Sequence, residues 1–286
     1  YVRFNNEAKE DESLNDIGRA WFKKIEDGDP EALEIFNWFK SVTLKDAERV
    51  YDLLGITFES YAGESFYSDK MPAVIQEMRD KNLLVPSQGA EIVELGQFGL
   101  TDAPVIKSDG SSIYITRDIA AAVYRKEHYN FDKNIYVVAS QQNLHFQQWF
   151  KIIELMGFDW SSKCVHVPFG MVSLEDGTMS TRKGKVVFLL DVLTKAVEQT
   201  KEIIKEKNVA EEDMEQIAKE VGIGAVMFQE LSNNRIKDYT FSWDKVLNFE
   251  GETGPYVQYT YARTCSILAK LADMQTGAVY EGALDK

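Results

Sequence analysis

Between Gly177 and Lys185 the chain reads GTMSTRKGK, which sets Arg182, Lys183 and Lys185 among glycines and small hydroxyl residues. Such a loop suits an anion, because exposed backbone N–H groups and flexible cations can both reach phosphate oxygens. A solvated surface turn has the same composition, so the neighbourhood must decide. A second group lies upstream: Tyr114, Asp118, Gln141 and Gln142 offer a phenol, a carboxylate and primary amides. A carboxylate with neighbouring acceptors matches a guanidinium, whose five N–H donors form a planar fork, whereas the loop cations match phosphate. Together they describe a site for a cationic small molecule beside a nucleotide. Taken singly, Asp118 would serve equally well as the cap of a following helix.

His145 follows the glutamine pair at a helix start, near the same crevice, where a purely structural histidine is as good a reading. His128 and His166 show no ligand spacing with it, so no metal site is read; a Ser-His-Asp or Cys-His arrangement and a Walker A sequence are also missing.

The elements that must position these groups follow from periodicity. Residues 1–60 read as a helical, acidic insertion: LNDIGRAWFKKIEDG carries Ile17, Trp21 and Ile25 at four-residue spacing, and Pro30 opens a second helix. Phe22, Phe36, Trp38 and Phe39 within it read as helix core. Residues 61–207 hold the helix MPAVIQEMRDKN, then strand-like runs and SDG turn chemistry as far as Thr116. From there the order is regular: strand SSIYIT, helix RDIAAAVYRKEHY, strand NIYVVAS, helix HFQQWFKIIELMG, strand CVHVPFGMV. Helices this closely interleaved with strands imply a parallel sheet. The fold class expected is α/β, the second half of a Rossmann-like doubly wound parallel sheet, with the helical insertion before it. Residues 208–286 read as a helical stem and the start of an all-α domain.

Ligands of open parallel sheets bind beyond the carboxyl ends of the strands. The first expected strand ends at Tyr114–Thr116 and runs into Arg117 and Asp118. The second ends at Ser140–Gln142. The third runs through Phe169, Gly170, Met171 and Val172 into the basic loop. The three ends should meet in one crevice.

Composition sets outer bounds. The net charge of −14 argues against general nucleic-acid binding, though a local basic patch still steers a polyanion at short range. The two cysteines, far apart, indicate neither disulfides nor zinc. With no apolar run of membrane length and no signal-peptide core, a soluble cytoplasmic protein with no membrane partner is expected, as a monomer. The start at Tyr1 and the uncapped end suggest an internal piece of a longer protein.

With these residues assembled, the sequence resembles class I aminoacyl-tRNA synthetases, specifically the arginyl-tRNA synthetases. MSTRKG looks like that family's mobile signature loop, and GESFYSDKM, YITRDIAAAVYR, VVASQQNLHFQQWF, HVPFGMV and FEGETGPYVQYTYAR resemble family blocks in the same order. The resemblance implies ATP-dependent activation of arginine to an adenylate, with Mg²⁺ expected, and transfer to the terminal adenosine of tRNA. It places arginine on Glu64, Tyr114, Asp118 and Gln142. It places ATP on His145, Gly170, Met171, Val172, Met179 and Ser180, with adenine read by backbone groups of Met171 and Val172. Thr181, Arg182 and Lys183 would act on the phosphates, and Tyr256, Gln258, Tyr259 and Arg263 would meet tRNA. Two departures stand out: no two histidines are close enough for the class's His-x-Gly-His signature, and Thr181 stands where the general signature has its second lysine. The chain alone is therefore expected to be inactive. A non-catalytic arginine- or tRNA-binding relative is the alternative, and a different class I synthetase a third reading, disfavoured by Tyr114, Asp118 and Gln142, because a buried carboxylate penalises a neutral amino acid.

Overall fold

The computed structural model describes residues 1–108, 113–173, 187–205, 211–243 and 251–273. It is mixed α/β, mostly helical, with three small sheets.

Three helices open the chain: α1 (Val2–Glu10), α2 (Ser13–Glu26) and α3 (Pro30–Leu54). The start of α3 is fixed by Asp29, whose carboxylate accepts from the Ala32 N–H at 3.0 Å, and by Pro30 in the first turn. Gly55 ends it at φ 66°, a left-handed cap that glycine adopts without strain. The aromatics expected as core of this segment are not buried. Phe22, Trp38 and Phe39 are more than half exposed, because helical spacing shows which residues share a face but not what covers it.

A 3₁₀ turn, Glu64–Lys70, leads into α4 (Met71–Asp80). Strands β1 (Val85–Ser87), β2 (Ala90–Val93) and β3 (Ala103–Ile106) form an antiparallel sheet in that order. The β1–β2 turn is Gln88-Gly89, both residues at positive φ, the two-residue hairpin geometry that matches strand twist.

Helix α5 (Tyr114–Tyr129) follows, then β4 (Asn134–Ala139), α6 (Asn143–Leu155) and β5 (Cys164–Phe169). β4 and β5 pair in parallel from Asn134↔Cys164 to Ala139↔Phe169, with α6 as the crossover. One expectation fails here: of SSIYIT, residues 111–112 lie outside the described residues, and residues 113–116 do not form the first parallel strand. Ile113 is extended, but helix begins at Tyr114, and Ile115, Ile119 and Ala122 are buried at helical spacing. An alternation of two isoleucines over so short a run fits either period, and packing decides. The parallel order is likewise interrupted after Phe169. Val172–Ser173 (β6) leaves β5 and pairs instead with β7 (Tyr239–Thr240), also in parallel.

Beneath these elements lies the larger core, with Met78, Leu95, Val105, Ile119, Trp149, Ile152 and Ile153 fully buried. Tyr136 and Val138 of β4 pack on it. Ile135 and Val137, on the opposite face of the same strand, are 54% and 63% exposed. Burial in this layer pushes the Tyr136 hydroxyl and the Cys164 thiol up, the latter to about 11. A second core joins α7 (Leu189–Lys205), α8 (Glu211–Ser232) and Phe241 through Leu193, Ala196, Ile223 and Val226. The last helix, α9 (Gly254–Asp273), starts tight against α8: a Cβ at Gly254 would lie 3.0 Å from the Gly224 carbonyl.

Candidate functional site

Helices α5 and α6 bring the expected guanidinium-binding groups to one end. Tyr114 and Asp118 are one turn apart on α5, so they share a face. Because the helix starts four residues before Asp118, that carboxylate caps nothing, and the structural alternative for it falls away. Its Oδ2 instead lies 2.5 Å from His145 Nε2 on the first turn of α6. Both side chains are partly buried, at 37% and 23% exposure. Tyr114 is mainly exposed. Gln142 ends the 3₁₀ turn after β4, one turn before His145; it is exposed and has no hydrogen-bond partner among the described residues.

Glu64 reaches the same end of α5 but is already engaged. Its carboxylate accepts from Arg117 Nη1 at 2.9 Å, and Arg117 is the more buried partner, with its Nε unpaired among the described residues. The chain's own guanidinium thus occupies the acidic group that the sequence assigns to a substrate guanidinium. Sequence reasoning also passed over Arg125, whose guanidinium sits over the rings of Tyr67 and Tyr136 at 5.6 and 5.4 Å. The only available signal was its place on the α5 face seven residues after Asp118.

The segment expected to read a nucleotide, residues 170–172, is held mainly through its backbone. The Gly170 N–H donates to the Arg235 carbonyl at 2.8 Å, and the Met171 N–H to Asp238 Oδ1 at 2.7 Å. The Tyr239 N–H donates to the Met171 carbonyl at 3.1 Å, and the Phe241 N–H to the Ser173 carbonyl at 2.9 Å. Residues of a parallel strand alternate in the edge to which their N–H and C=O point. With Met171 and Ser173 turned to β7, the main-chain groups of Val172 point to the other edge. Met179, Ser180, Thr181, Arg182 and Lys183 lie outside the described residues.

On α9, Tyr256, Tyr259 and Arg263 share an exposed face, and the Arg263 guanidinium approaches the Tyr259 hydroxyl at 3.4 Å. Gln258 points elsewhere, donating to the Glu220 carbonyl of α8 at 3.1 Å. Among the described residues, no three His, Cys, Asp or Glu side chains converge to hold a metal ion. No helix among the described residues is long and apolar enough to cross a membrane.

Comparison with known proteins gives this arrangement of helix starts and strand ends a family. Residues 1–243 match the family described as tRNA synthetases class I (R), catalytic domain, and the chain belongs to that family. It is 64% identical over 270 residues to the arginine–tRNA ligase of Halothermothrix orenii and 61% identical over 270 residues to that of Clostridioides difficile. In both cases the match takes in 94% of this chain and 48% of the relative, so the chain spans about half the length of these curated relatives. The crystal structure of arginyl-tRNA synthetase from Plasmodium falciparum is similar with a TM-score of 0.77 at 26% identity, over 93% of this chain and 45% of that one.

Proposed function

We propose that the chain carries the amino-acid pocket and part of the ATP site of an arginine–tRNA ligase, whose other parts lie outside these residues. The observation that carries this reading is the Asp118–His145 pair at 2.5 Å, with Tyr114 one turn away. A carboxylate held in a partly buried setting discriminates strongly between a cationic guanidinium and a neutral isostere, because the neutral ligand leaves the charge uncompensated. Tyr114 and Gln142 supply further polar contacts, and Glu64 joins them if Arg117 yields its place.

In the reaction so assigned, the arginine carboxylate attacks the α-phosphate of ATP, forming the adenylate and releasing pyrophosphate. The arginyl group then passes to a hydroxyl of the terminal adenosine of tRNA, the acyl–phosphate bond breaking with release of AMP. No side chain acts as covalent nucleophile; the described residues contribute orientation, and the cations Arg182 and Lys183 offset phosphate charge. Val172 and Met171 read the adenine, and the exposed face of α9 meets tRNA. Magnesium, when bound, would neutralise the phosphates of ATP. We further infer that β4 and β5 belong to a doubly wound sheet, since parallel strands are ordinarily covered on both faces and Ile135 and Val137 are bare. Helical residues 1–60 precede that catalytic layer, 61–207, and residues 208–286 begin the tRNA-binding part.

Calorimetric titration with L-arginine, and with L-citrulline as the neutral isostere, tests the reading. Arginine should bind and citrulline should not, and Asp118→Ala should abolish the difference. A folded chain that binds both ligands equally, or an Asp118→Ala variant as selective as the parent, would refute it.

A further inference from the structure

The segment that carries the adenine-reading backbone is not self-supporting. After Phe169 it leaves the β4–β5 sheet, and what holds it comes from residues 235–241, far along the chain. Every position from Pro168 to Ser173 except Phe169 and Val172 is gripped there. Arg235 donates its guanidinium to the Pro168 carbonyl, and its own carbonyl accepts from Gly170. Asp238 accepts from Met171, Tyr239 donates to Met171, and Ser173 Oγ meets Thr240 Oγ1 at 3.1 Å. Approach is so close at Gly170 that an added Cβ would sit 2.3 Å from the Lys237 carbonyl oxygen. The strap is itself braced, with Asn234 accepting from Ile236 and Lys237 and the Tyr239 hydroxyl bonding Glu230 at the end of α8.

Among the described residues, Asp238 is the one side chain that holds a backbone N–H of this segment. The other contacts to Gly170, Met171 and Ser173 main-chain groups are backbone to backbone. A carboxylate accepting from an amide is among the stronger hydrogen bonds, and this one fixes the Gly170–Met171 peptide plane, one peptide ahead of the plane that carries the Val172 N–H. Met171 is thereby held at both of its main-chain groups, its N–H by Asp238 and its C=O by the Tyr239 N–H, and the next peptide, which carries the Val172 N–H, starts from that fixed residue.

We propose that Asp238 is a positioning residue for nucleotide recognition, anchoring Met171 through its N–H so that the Val172 main-chain groups, unpaired among the described residues, meet the adenine edge. This rests on the reading that adenine is bound at Met171 and Val172. Asp238 touches no substrate and acts only through Met171.

The test compares the parent chain with Asp238→Ala and Asp238→Asn, following ATP affinity and L-arginine affinity by calorimetry and the Met171 amide by hydrogen exchange. For Asp238→Ala the expected result is an ATP affinity at least tenfold weaker and Met171 exchange at least tenfold faster, with arginine affinity within twofold of the parent. Asp238→Asn, whose amide oxygen still accepts the N–H, should stay within threefold of the parent in all three. Faster Met171 exchange with unchanged ATP affinity would overturn the proposal, as would an Asp238→Asn variant as defective as Asp238→Ala. Should the alanine variant fail to fold, Asp238→Asn decides: a more than tenfold loss of ATP affinity with Met171 still protected would overturn it. A parent chain that binds arginine but no ATP would remove the adenine reading itself, and the role of Asp238 with it.

Discussion

The two ends of the candidate site are built from different materials. At the proposed guanidinium end, side chains from separate helices pair with one another, Asp118 with His145 and Glu64 with Arg117. At the proposed nucleotide end, backbone is held by backbone, and the side chains of the strap serve mainly to keep it in place. A guanidinium is recognised by its charge, so its site needs carboxylates whose positions are set by partners. An adenine edge offers donors and acceptors that a peptide group can match, so its site needs a peptide held still. The contrast predicts that substitutions at one end leave the other ligand's affinity alone.

Asp118→Asn offers the largest effect. Removing the charge should weaken L-arginine at least a hundredfold, roughly 3 kcal/mol for a charged hydrogen-bonded partner lost, while ATP binding is unchanged; calorimetry with both ligands reads the split. Gly170→Ala attacks the opposite end. The added methyl has no room against Lys237, so overpacking should cost about 1–3 kcal/mol of stability in a denaturant titration and weaken ATP more than arginine.

His145→Ala sharpens the boundary between the ends, because the sequence assigns His145 to ATP whereas its contact is Asp118. Loss of that one hydrogen bond should weaken arginine about five- to tenfold, on the order of 1 kcal/mol, with His145→Gln restoring most of it. A variant that instead weakens ATP would move His145 to the nucleotide end. Glu64→Gln is expected to change arginine affinity no more than about threefold, since an ion pair this exposed contributes under about 1 kcal/mol. A larger loss would mean that substrate displaces Arg117 from Glu64.

The smallest effect lies in the β4–β5 layer. The folded state holds the Cys164 proton to about 11, whereas the unfolded chain releases it near 9. Stability should therefore be level below pH 9 and fall between pH 9 and 11, the raised Tyr136 hydroxyl adding to the fall from pH 10 upward. Cys164→Ala should flatten the first part of the slope in pH-dependent thermal melts.

Much of this was legible in the sequence because the signals are local. α2, α3, α4, α6 and α7 announce themselves by period and caps, and the four-residue spacing of Tyr114 and Asp118 survives whether the element is drawn as strand end or helix start. Where sequence reasoning went astray, the deciding contacts are distant. Tyr114, Ile115 and Thr116 are drawn into the helix by the core beneath Ile115 and Ile119. The partner of His145 is 27 residues away and that of Met171 is 67 away, and nothing in the spacing of Asn234, Arg235 and Asp238 marks them as a strap. Exposure of Trp38 and Phe39 was equally invisible, since a sequence gives the faces of a helix without its neighbours.

The bare face of β4 has a consequence for handling the isolated chain. Ile135 and Val137 present water with an apolar stripe beside an unpaired strand edge, a combination that invites another copy to add on. Attraction of this kind weakens on cooling. Concentrated solutions should stay dispersed in the cold and scatter light on warming, well below the temperature at which the fold itself melts.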